Sequence, residues 1–62
     1  MIVVMNPRAT QANIDQVTAK IEQAGLRTHL SQGEDRFIIG VIGDKKLIAG
    51  LEMNMMDGVE KT

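Results

Sequence analysis

The chain has 62 residues, seven basic against eight acidic side chains for a formal net charge of −1, no cysteine, one histidine and a single aromatic residue, Phe37. That length admits one domain, which at this size buries only about 60% of the surface its unfolded chain exposes; with disulfides and a thiol metal cluster excluded, association with a partner is the expected stabiliser. Balanced charge and one aromatic exclude a DNA or RNA surface, no apolar run nears the roughly 20 residues that span a bilayer, and "MIVVMNP" is too short and too poor in basic flanks for a secretion signal, so the expectation is a cytoplasmic protein without nucleic-acid or membrane partners.

Ile2 to Met5 is an apolar, mostly β-branched run closed by Asn6 and Pro7, which predicts a first strand. Thr10 suits an N-cap, and Ile14, Val17, Ile21 and Ala24 recur at spacings of three, four and three, one face of a helix that Gly25 ends. From Leu26 to Ser31 the period becomes two: Leu26, Thr28 and Leu30 share one face of a strand, Arg27, His29 and Ser31 the other. A polar turn, Gln32 to Asp35, leads into a strand from Arg36 to Ile42, with Phe37, Ile39 and Val41 on one face and Ile38, Gly40 and Ile42 on the other. Asp44 suits a second N-cap, and Leu47, Ile48, Leu51 and Met55 fall at helical spacing for a second helix ending before Asp57 and Gly58. Gly50 weakens that helix by about 1 kcal/mol relative to alanine. Val59 to Thr62 opens one more strand, cut short.

The order β-α-β-β-α-β predicts an α+β, ferredoxin-like domain over residues 1–62: an antiparallel sheet with two helices on one face and the last strand truncated. Strands one and three occupy the middle of such a sheet, and here both are apolar on both faces. Two helices cover only one face. At about 25 cal/mol per Å² of apolar surface, a bare row of valine and isoleucine is a liability in so small a domain, so a neighbouring domain, another protomer or a ligand is expected to cover it.

No catalytic constellation is legible. The single histidine has no cysteine partner, and no carboxylate is identifiable as an orienting group for Ser31, Glu34 and Asp35 being the nearest acids. Taken as residues alone, His29 and Ser31 are solvated positions of an edge strand; the alternative is a small-ligand site in which Arg27, His29 and Ser31 offer a cation and two hydrogen-bonding groups at period-two spacing along a shallow pocket. "GVIGD" lacks the third glycine and the lysine of the nucleotide-binding fingerprints, so Gly40 is read as allowing close approach of a neighbouring backbone and Gly43 as turning the chain into the second helix. Met53, Met55 and Met56 are read as adaptable packing at a helix end or docking surface. A small enzyme of acylphosphatase-like topology is disfavoured, since Arg8 follows the first strand without an arginine and asparagine pair in a phosphate loop.

Three segments in order, "MIVVMNPRAT", "HLSQGEDR" and "IIGVIGD", together resemble the N-terminal regulatory domain of the type I beta class of 3-deoxy-D-arabino-heptulosonate-7-phosphate (DAHP) synthase, also called phospho-2-dehydro-3-deoxyheptonate aldolase. The resemblance covers nearly the whole chain. It implies an ACT-like module ahead of a (β/α)8 barrel, a transferase that condenses phosphoenolpyruvate with erythrose 4-phosphate at the start of the shikimate pathway of aromatic amino acid biosynthesis. It further implies that the module binds tyrosine or phenylalanine between regulatory domains of different subunits of an oligomer, and that the paired domains hinder access to the barrel mouth, giving feedback inhibition. The histidine and serine of that effector site fall on His29 and Ser31, in the matching "HLS" context; Arg27, Ile38, Gly40 and Ile42 are expected at the interface or pocket wall. These 62 residues contain none of the barrel, so the chain alone is expected to be no enzyme and to hold no cofactor, the divalent metal belonging to the barrel. The family pattern continues the fourth strand and a linker beyond "VEKT", so a piece of a longer protein is expected. A ligand-free oligomerisation domain, pairing subunits through the bare sheet face and exposed edge, is the competing reading.

Overall fold

A computed structural model describes residues 1–33 and 36–62. Glu34 and Asp35, assigned above to the polar turn, lie outside the described residues. In chain order the elements are β1 (Ile2–Met5), α1 (Gln11–Gln23), β2 (Arg27–Gln32), β3 (Phe37–Ile42), α2 (Lys45–Ala49), a single 3₁₀ turn (Met53–Met55) and β4 (Val59–Lys61). The strands make one sheet in the order β2-β3-β1-β4, every neighbouring pair antiparallel. This is the ferredoxin-like βαββαβ arrangement, with β1 and β3 central and the last strand short.

The first half follows from local chemistry. Thr10 has extended backbone, its hydroxyl oxygen accepts the Asn13 N–H at 3.1 Å, and the Asn13 side-chain oxygen accepts the Thr10 N–H at 3.0 Å. This reciprocal capping box satisfies two donors, one of them left orphaned by the first helical turn. At the other end Gly25 takes the left-handed conformation, φ 86°, while its N–H donates to the Glu22 carbonyl and the Leu26 N–H donates to the Ile21 carbonyl. That pair of bonds is a Schellman ending, and it buries Leu26 beside Ile21 before β2 begins. Alternation in the central strands then sends Val3, Met5, Ile39 and Val41 inward, where they meet Ile14, Val17 and Ile21 of α1.

The second helix departs from its expected length. Asp44 caps it, accepting the Lys46 N–H at 2.8 Å, but the α-helix ends at Ala49 and the chain resumes as the 3₁₀ turn. Gly50, with its large backbone entropy and no side chain to pack, is where the helix stops. The interruption changes the rotational phase of everything after it. Met55, expected on the buried face of a continuous helix, is 77% exposed, while Met53 is 1% exposed and completes the core. α2 buries no residue fully; Ile48 and Leu51 pack at the core's margin.

β4 pairs with β1 through Val4↔Lys61 and Met5↔Val59, so Glu60 is an extra residue bulged out of the ladder. Arg36, just before β3, forms an ion pair with Glu60 across the width of β1. Among the described residues no helix is long and apolar enough to cross a membrane.

Candidate functional site

The helices and the 3₁₀ turn lie against one side of the sheet, and the other side is uncovered by any described part of the chain. Alternation and register decide what that open face carries. Across β2 and β3 it presents three directly opposed pairs, Arg27↔Ile42, His29↔Gly40 and Ser31↔Ile38. The first strand extends two of these rows, Ile2 lying opposite Gly40 and Val4 opposite Ile38, and Lys61 of β4 lies opposite Val4. All six residues expected at the site, Arg27, His29, Ser31, Ile38, Gly40 and Ile42, are therefore brought together on one face of two adjacent strands.

The face grades from polar to apolar. Arg27, His29 and Ser31 stand exposed on β2, the edge strand, and within the described residues none makes a side-chain hydrogen bond or ion pair. Inward of them Ile38 and Val4 are half-buried, while Ile42 and Ile2 remain 56% and 58% exposed. An imidazole and a hydroxyl each both donate and accept, and two positions apart on a strand they stand about 7 Å from one another. Such a surface suits a ligand with an apolar body and a polar end.

It is an open surface, with Ile2 and Ile42 more than half exposed. Among the described residues, two clefts lie at the end of the sheet where β1 leaves it, one of about 130 Å³ between Asn6, Gln32, Arg36 and Phe37, the other of about 270 Å³ between Arg8, Asn13 and Gly58; neither includes His29 or Ser31. The shallow pocket expected there is half of one, and enclosing a ligand requires a second surface. The reading of Gly40 is also corrected. A Cβ at this position would lie 3.6 Å from the His29 carbonyl oxygen and 3.7 Å from the His29 Cβ, ordinary contact, so no backbone within the described chain approaches closely enough to demand glycine.

Three further residues share this face, Ile2, Val4 and Lys61. Ile2 and Val4 are legible in the alternation of the first strand, whose opposite side carries Val3 and Met5. Lys61 is not: its row depends on the bulge at Glu60, which no local pattern announces.

The comparisons agree with this architecture. The family model for the DAHP synthase ferredoxin-like domain matches residues 1–62. The chain is 37% identical over 60 residues to phospho-2-dehydro-3-deoxyheptonate aldolase of Thermotoga maritima, an alignment covering 97% of this chain and 18% of that protein. It also matches the crystal structure of the Thermotoga maritima phospho-2-dehydro-3-deoxyheptonate aldolase (DAHP synthase) with a TM-score of 0.84 and 35% identity, again over 97% of this chain and 18% of the other. The chain thus spans less than a fifth of the length of these relatives. With a family match running from the first residue to the last on a sheet of the same topology, the chain belongs to the DAHP synthase ferredoxin-like domain family.

Proposed function

We propose that this domain is an allosteric module of a cytoplasmic DAHP synthase, binding tyrosine or phenylalanine between the open sheet faces of two copies and thereby inhibiting the condensation of phosphoenolpyruvate with erythrose 4-phosphate. The observation that carries the reading is the composition of the open face: His29 and Ser31, exposed and without side-chain partners among the described residues, stand opposite Gly40 and Ile38 on an otherwise apolar surface. The ring packs on the apolar rows, His29 or Ser31 bonds a polar group of the ligand, and backbone groups of the second copy take the α-amino and carboxylate groups. The domain itself performs no chemistry and holds no cofactor; the divalent metal and the substrates belong to a catalytic barrel.

The mechanism follows from linkage. An effector shifts an equilibrium only through its differential affinity for two states, and a face without walls grips a ligand weakly until a second face closes over it. Ligand and pairing therefore stabilise one another, and the paired state is the one that obstructs the barrel mouth.

The test is a titration with tyrosine, phenylalanine and tryptophan that follows amide NMR shifts and molecular mass together. Tyrosine- or phenylalanine-dependent pairing with shifts centred on His29 and Ser31 is the expected result. The exposure of Ile2 and Ile42 also favours a second reading, a ligand-free oligomerisation domain. In that case the mass is already that of an oligomer, and millimolar aromatic amino acids leave both mass and shifts unchanged.

A further inference from the structure

Gly40 occupies the middle of β3, a central strand, where glycine has no side chain to pack and weakens the ladder. Nothing within the described chain requires glycine here. Positive φ is confined, among the described glycines, to Gly25, Gly43 and Gly58. The strand is not bulged: register runs without a shift from Arg27↔Ile42 to Gln32↔Phe37 on one side and from Ile2↔Gly40 to Val4↔Ile38 on the other. A Cβ would also meet nothing closer than 3.6 Å. The domain has room for a methyl group here and leaves the room empty.

That room opens on the uncovered face. It is a gap in the row between Ile2 and His29, two strand spacings or about 10 Å apart, bounded along β3 by Ile38 and Ile42. Its floor is peptide backbone already paired into the sheet on both sides, so it offers contact area but no free donor or acceptor. An occupant of such a dip is flat and apolar, and a hydrogen-bonding group stands at one end, on His29.

We propose that Gly40 is the seat of the effector's aromatic ring and hence a position that determines which ligands the face admits; this rests on the functional reading above. The absent side chain lets the ring lie against the backbone between Ile2, Ile38 and Ile42, with its polar end toward His29. A methyl group at position 40 fills the seat while meeting nothing in the described chain closer than 3.6 Å.

The experiment compares the intact protein with Gly40→Ala and Gly40→Val by thermal melting and by calorimetric titration with tyrosine and phenylalanine. Gly40→Ala is expected to melt at or slightly above the unmodified temperature while affinity for both ligands falls about 10- to 100-fold, as for a methyl group forced into a filled contact, with a larger loss for Gly40→Val. In the unmodified protein, ring protons of bound phenylalanine are expected to show nuclear Overhauser contacts to the Gly40 Hα, a measurement that needs no variant. If the unmodified protein binds either ligand and Gly40→Ala binds it equally well, or if the ring contacts lie elsewhere on the face, the seat is wrong and the functional reading stands. A change in self-association with unchanged affinity overturns the seat in favour of a partner's side chain. Failure of the unmodified protein to bind either ligand removes the functional reading and the seat with it.

Discussion

Ser31 and His29 project from the same edge strand, yet a hydroxyl and an imidazole discriminate ligands differently. If Ser31 serves a phenolic hydroxyl, Ser31→Ala leaves that hydroxyl buried without a partner, which penalises tyrosine over phenylalanine by about 1–3 kcal/mol. Calorimetric titration of the variant with both ligands checks this, and equal losses would sink the assignment. Gly58 presents the opposite case to Gly40: its φ is 85°, and a Cβ there would stand 2.8 Å from the Asn13 Cβ. Gly58→Ala combines backbone strain with pressure on a capping-box residue and should remove about 1–3 kcal/mol of stability, read from denaturant melts. The sequence places Gly40 in a strand and Gly58 after Asp57 beyond the second helix, but shows neither backbone angle nor neighbour. Only backbone angles and the neighbouring strands separate a glycine the fold requires from one the fold merely tolerates.

At the scale of elements, α1 and the segment after β3 contrast. α1 carries its signals locally, with a cap, a buried stripe of Ile14, Val17 and Ile21, and a glycine ending; its sequence period and its burial agree. The segment from Lys45 to Met55 shows a comparable apolar period, but its helix stops after five residues, and the packing then selects Met53 in place of Met55. Met53→Ala should cost about 2–5 kcal/mol of stability, as for other buried large-to-alanine changes. Met55→Ala should change stability by less than about 0.5 kcal/mol. Parallel thermal melts of the two variants decide the matter, and a reversal of their order would mean that the continuous helix is the true conformation.

For the whole molecule, the decisive feature is an uncovered sheet face in a domain with little core to spare. Ile42 is 56% exposed and opposite Arg27, so Ile42→Glu places a carboxylate beside a guanidinium and is tolerated by the isolated fold, within about 0.5 kcal/mol. On a face that must meet another apolar face, the same charge is desolvated. The variant should therefore keep its melting temperature but lose ligand-dependent pairing in sedimentation experiments. Retained pairing would place the interface elsewhere, on the edge of β2 or the helical side.

Much of this is legible in the chain itself. Period-two and period-3.6 patterns are enforced residue by residue by strand and helix geometry, so β1, α1, β2 and β3 were legible with boundaries shifted by a residue or so, as was the shared face of Arg27, His29 and Ser31. The sequence by itself therefore determined the element order, the ferredoxin-like class and the doubly apolar central strands. The tertiary structure alone decided what depends on partners far apart in the chain: the register that sets His29 against Gly40 and Ser31 against Ile38, the bulge that carries Lys61 onto their face, and the exchange of Met55 for Met53 in the core. Local patterns fix which way a side chain points along its own strand, but which residue it faces is settled only when the whole sheet chooses one alignment that buries the most apolar surface.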